Sequence, residues 1–180
     1  MRERAVKAAV RGKNPACVPL LLHMLMNPVA GEAALSVLSI FADQKKVRDY
    51  LLEKLKKRNK HDRLEAALIL TDLPFSEALP LLKKYAADDD DLQLRAVALG
   101  ALAGLLRGKP AVKGDACEVF VKAAKHPVVR IRQAALQGLA AADDPRYDSI
   151  LRGACVDPDP VIRNVLAPMW LGAMERRARG

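Results

Sequence analysis

One stretch constrains the fold of this chain more than any other: Val129-Arg-Ile-Arg-Gln-Ala-Ala-Leu-Gln-Gly-Leu139. With Arg132 as anchor, Ala135, Leu136 and Leu139 follow at offsets of three, four and seven residues. Those offsets share one face of an α-helix. The same frame fits elsewhere. Arg163 gives Leu166, Ala167 and Trp170; Arg95 gives Ala98, Leu99 and Leu102; Arg63 gives Ala66, Ala67 and Leu70. Gly31, where the arginine is lost, gives Ala34, Leu35 and Leu38. The anchors at 31, 63, 95, 132 and 163 step by 32, 32, 37 and 31 residues. A recurrence at this period marks a repeat array.

The columns have a physical meaning. The offset-three column is Ala34, Ala66, Ala98, Ala135 and Leu166; small residues there let helices approach closely. The offset-seven column is Leu38, Leu70, Leu102, Leu139 and Trp170; large apolar groups there fill the space between layers. A single hairpin cannot bury such a face, so the copies must stack.

Asp157-Pro-Asp-Pro-Val-Ile-Arg163 and Pro127-Val-Val-Arg-Ile-Arg-Gln-Ala-Ala-Leu-Gln-Gly-Leu139 resemble the second helix of a HEAT repeat, in particular the short HEAT-like repeats of phycobilisome-lyase proteins. The resemblance is strongest in the last two copies and weakest at Gly31. It implies an all-α, right-handed α-solenoid of about five helical hairpins preceded by a single helix. It also implies a binding scaffold and no reaction. The expected second helices lie near 2–10, 28–41, 62–73, 91–106, 127–141 and 159–176 of one domain spanning 1–180. Residues 2–10 read as a second helix without its first, either a cap or a piece of a longer array.

The chain's 180 residues suffice for one domain with a core. No apolar run reaches the 18 or so residues that cross a bilayer, and the N-terminus lacks a signal-peptide apolar segment. A cytoplasmic protein is expected. Cys17, Cys117 and Cys155 are widely spaced, without a nearby cysteine or histidine at ligand spacing. They read as core residues rather than a disulfide framework or metal site.

Charge offers two readings of function. The net charge is +9, and most of it lies in 45–63, where nine cations face three carboxylates. A phosphate-contacting patch would draw on Lys45, Lys46, Lys54, Lys57, Arg58 and Lys60. Against it stands the groove that the resemblance assigns to the second helices. Positions one and five after the anchor are Glu32, Leu64, Ala96, Gln133, Asn164 and Ser36, Leu68, Gly100, Gln137, Pro168. That lining is nearly uncharged. The expectation is therefore a non-enzymatic scaffold that binds a protein or peptide partner at Leu64, Leu68, Gln133, Gln137 and Asn164. The alternative is a nucleic-acid-binding protein, in the manner of HEAT-like DNA glycosylases, using the basic 45–63 face. A lyase-associated role rests on family likeness alone.

The remaining chemistry is sparse. His23, His61 and His126 fall far apart in the repeat frame, and no nucleophile elbow, zinc-protease, P-loop or dinucleotide motif is present. Asp88 to Asp91 lacks EF-hand spacing. No catalytic residue, metal or cofactor is expected. Asp91 and Arg95, and Asp159 and Arg163, are four apart and so can pair on a helix. The anchor arginines are expected to bridge to the loop of a neighbouring layer. Trp170 is expected in the core, and Pro168 to distort the last helix.

Overall fold

The computed structural model describes residues 18–24, 31, 34, 37, 38, 45–108 and 113–179. The expected helix at 2–10, most of 28–41, Cys17, Glu32, Ser36 and the 109–112 connection lie outside them. The described elements are α1 (Val18–Met24), α2 (Lys45–Lys56), α3 (Lys60–Asp72), α4 (Leu79–Asp88), α5 (Leu92–Gly108), α6 (Lys113–Ala123), α7 (Val129–Ala142), α8 (Asp148–Ala154) and α9 (Pro160–Arg179). Short 3-10 turns at Ser76–Ala78 and Pro145–Tyr147 lead into α4 and α8.

Local chemistry sets the helix ends. Asn59 caps α3 by accepting from the His61 N–H. Asp91 Oδ1 accepts from the Gln93 and Leu94 N–H groups at 2.9 and 3.4 Å, and Asp159 Oδ1 from Val161 N–H at 2.8 Å. Each aspartate satisfies donors that a helix start leaves unpaired. Pro80 enters α4 at its start, where its missing N–H costs nothing. At the end of α7, Asp143 takes φ 46°, the left-handed turn that closes a helix. Pro168 lies inside α9, exposed, and the helix continues through it to Arg179.

The helices pair as α2/α3, α4/α5, α6/α7 and α8/α9. The second member of each pair packs on the next: α3 on α5, α5 on α7, α7 on α9. This is an all-α solenoid in which the anchor-led helices pack side by side. Ala34, Ala66, Ala98 and Ala135 are all fully buried, and so are Leu38, Leu70, Leu102 and Leu139. Burying one such leucine is worth about 1.5–3 kcal/mol. The columns are thus the contact surfaces between layers. In the last layer Trp170 is only half-buried against the core.

Two glycines record how close the helices come. A Cβ on Gly104 of α5 would lie 2.4 Å from the Thr71 carbonyl oxygen of α3. A Cβ on Gly138 of α7 would lie 2.4 Å from the Phe120 ring of α6. A side chain at either place would force the pair apart.

Candidate binding surface

The exposed edge of the second-helix row carries the residues expected to line a groove. On α3, Leu68 is 40% exposed and Leu64 is half-buried. On α7, Gln133 and Gln137 are half-buried; on α9, Asn164 and Pro168 are exposed. These positions stand at like offsets on second helices that pack on one another. On α5 the same offsets behave differently. Ala96 is only 6% exposed, so it is closed off rather than lining. Gly100, partly exposed, leaves its space to the Thr71 side chain, 3.9 Å from where a Cβ would sit. The surface is therefore apolar on α3, shallow on α5 and amide-rich on α7 and α9.

The anchor arginines do not pair with the acids four residues before them. Asp91 and Asp159 turn inward to cap their helices, and the arginines turn back instead. Arg132 Nη1 donates to the carbonyls of His126 and Pro127 at 3.0 and 2.9 Å. Arg163 Nη1 does the same to Asp157 and Pro158 at 2.5 and 2.9 Å. Arg95 Nη2 reaches the Ala87 carbonyl at 2.6 Å. Each guanidinium thus ties the start of a second helix to the chain just before it, some of it the end of the first helix.

Two of the anchor arginines, Arg63 and Arg132, also reach forward to the next layer. Arg132 grips the Asp157 carboxylate with two prongs, Nε at 3.1 Å and Nη2 at 3.0 Å. Arg63 Nη2 lies 3.7 Å from Asp89. Asp89 and Asp157 occupy the same place in the repeat, six residues before the next anchor. The hydrogen bond from Arg132 holds the Asp157 carboxyl below the usual carboxylate range. Other contacts join the layers too. Tyr85 Oη donates to the Leu55 carbonyl at 2.5 Å, and Arg63 stacks over the Tyr85 ring at 5.5 Å.

Five of the nine cations of the basic stretch, Arg48, Lys54, Lys57, Lys60 and Arg63, are matched by acids of its own fold. Lys54 binds Glu65 and lies 3.5 Å from Asp62; Lys57 is also 3.5 Å from Asp62. Lys60 reaches across to Asp91 at 2.9 Å, and Arg48 to Glu77 at 2.8 Å. The Lys60 contact draws the Asp91 carboxyl below its ordinary value. Lys45 and Arg58 are exposed, and the Lys46 side chain lies outside the described residues. Counting charge along 45–63 misses Glu77, Asp89 and Asp91, which the next layer supplies.

Cys117 is buried, with burial pushing its thiol up, and Cys155 is half-buried at the end of α8. Among the described residues no group of histidines, cysteines and carboxylates could hold a metal ion. No described helix is long and apolar enough to cross a membrane. Arg152 lies over the Trp170 ring at 5.8 Å, so that indole is packed rather than presented for stacking.

These features define a class. Residues 89–167, from the loop before α5 to the first turns of α9, match the sequence model of HEAT repeats. The fold around them is that of a HEAT-repeat solenoid, with two solved structures similar to it. YibA of E. coli is 18% identical, with a TM-score of 0.70 over 100% of this chain and 64% of that one. The chain therefore spans less than two thirds of that relative. The complex of CpcE and CpcF of phycocyanin lyase from Nostoc sp. PCC7120 is 21% identical, with a TM-score of 0.69, covering 89% of this chain and 99% of that one. Identity this low speaks for the fold alone. No curated protein matches the chain.

Proposed function

We propose that this chain is a non-enzymatic scaffold that binds a protein segment along the groove formed by its second helices. The partner would contact Leu64 and Leu68 at one end and Gln133, Gln137 and Asn164 at the other. The observation that carries the reading is the contrast between two surfaces. The expected lining positions are uncharged and partly exposed, whereas part of the basic 45–63 face is engaged with carboxylates of its own fold. Amide and leucine side chains suit main-chain and apolar contacts of a peptide better than phosphates. The Nostoc relative, a lyase described as a complex of two proteins, is consistent with protein partnership for this fold.

The test is a photo-crosslinker placed in turn at Leu68, Gln137 and Asn164, with a control at the exposed Ser149 of α8. Crosslinks to one host protein from the first three positions and none from the control are expected. With that partner purified, Gln133→Glu together with Gln137→Glu should weaken binding at least about tenfold, or 1.4 kcal/mol. Unchanged affinity removes the groove from the account. Retention on duplex DNA that falls steeply between about 50 and 200 mM salt would instead favour nucleic acid on the basic face.

A further inference from the structure

The arginine ladder has a rung without its acid. Arg63 meets Asp89 and Arg132 meets Asp157, each acid lying six residues before the next anchor. At that place in the layer above Arg95, the sequence has His126. Among the described residues no carboxylate takes its role. Arg95 Nε is buried with no acceptor among the described residues. Nε is the atom with which Arg132 holds Asp157 Oδ2. Arg63 Nε also lacks an acceptor, but its Nη2 has Asp89 beside it.

A cavity of about 430 Å³ opens at this gap. Its walls carry Lys83, Lys84, Arg95, Lys122 and His126, with the carboxylates of Asp88 and Glu118 beside them. Lys83 is drawn to Asp115 at 3.2 Å, while Lys84 and Lys122 have no ion-pair partner among the described residues. His126 Nδ1 accepts from the Val128 N–H at 3.1 Å, so in the neutral ring the proton sits on Nε2, a donor. Burial, followed by Arg95 and Arg132, keeps that ring toward the neutral form. Four cations and the His126 donor therefore outnumber the two wall carboxylates, Asp88 and Glu118, where the neighbouring rungs each hold one carboxylate.

We infer that this cavity, at the missing rung between the α4/α5 and α6/α7 layers, binds a carboxylate ligand that Arg95 and His126 hold as Arg132 holds Asp157, with Lys84 and Lys122 favouring a ligand of more than one negative charge. The site lies apart from the groove, so neither reading depends on the other. Binding there completes the ladder and stiffens the junction between two layers.

Thermal unfolding of the full chain with citrate, and separately with a short blocked peptide carrying one aspartate, tests it against sodium chloride at matched ionic strength. A response to citrate identifies a free polycarboxylate as the ligand; a response to the peptide alone identifies an acidic side chain of a partner. A ligand at a hundred times its Kd should raise Tm by about 5–10 °C. His126→Asp supplies the missing acid, so it should raise Tm without ligand and abolish the response. Lys122→Gln should weaken binding several-fold while leaving the unliganded Tm in place. The inference is overturned if neither carboxylate shifts Tm beyond chloride, or if the shift survives in the His126→Asp protein.

Discussion

Arg132 and Asp157, 25 residues apart in sequence, meet through two parallel hydrogen bonds, with side chains only 13% and 12% exposed. A planar guanidinium fits a carboxylate best in this geometry. The contact joins the α6/α7 layer to the loop that opens α9. Because little water reaches it, the pair is worth more than an ion pair on an open surface.

Stability should therefore depend on acid. The carboxyls of Asp157 and Asp91 titrate below their unfolded value, held down first by Arg132 and by Lys60. A depressed folded value contributes stability that is fully present above the unfolded value, about 3.9, and is lost as pH falls through the folded one. Urea midpoints should be flat from about pH 7 to 5 and drop steeply below about pH 4. Asp157→Asn should start lower and fall less over the acid range. Equal acid sensitivity in both proteins would mean that Asp157 is not one of the groups responsible.

Close helix approach gives a second contrast. Gly104→Ala puts a methyl 2.4 Å from a backbone oxygen that cannot swing aside. It should cost about 1–3 kcal/mol. Gly153→Ala meets nothing within 4 Å in α8, and should be neutral or stabilising by up to about 1 kcal/mol. Chemical denaturation of the two variants measures the difference.

Tyr85→Phe isolates one link between layers. The ring keeps its packing, but the Leu55 carbonyl loses its buried donor. A loss of about 1–3 kcal/mol is expected, read as a lower urea midpoint at unchanged slope. No loss would show that water replaces the hydroxyl.

Much of the fold is legible in the sequence, because the repeat columns are local. Ala66, Ala98 and Ala135 declare the tight contacts by their size, and Leu70, Leu102 and Leu139 declare the filled ones. Spacing within one helix suffices to see them. What joins layer to layer is not local. Spacing alone offers Asp91 to Arg95, yet capping geometry turns Asp91 toward the Gln93 and Leu94 N–H groups. The surplus charge of 45–63 reads as a free patch until Glu77, Asp89 and Asp91 arrive from the next layer. The gap at His126 does have a signal in sequence. Six residues before Arg95, Arg132 and Arg163 the sequence reads Asp89, His126 and Asp157, while Lys57 stands there before Arg63; the meaning of the column appears only once the arginine of the preceding layer is seen to reach that place. Ala96 shows the opposite limit, since the repeat frame puts it on the groove while neighbouring helices bury it.

Arg132 ties the α6/α7 layer to the α8/α9 layer through Asp157, and a double-mutant cycle on Arg132→Ala and Asp157→Ala measures this most directly. Arg132→Ala alone should cost about 2–4 kcal/mol, since it strands a nearly buried carboxylate and frees two carbonyls. The account predicts a coupling energy of about 1–3 kcal/mol between the two positions. Additivity within about 0.3 kcal/mol would contradict it, leaving the two side chains as neighbours that do not hold the layers together.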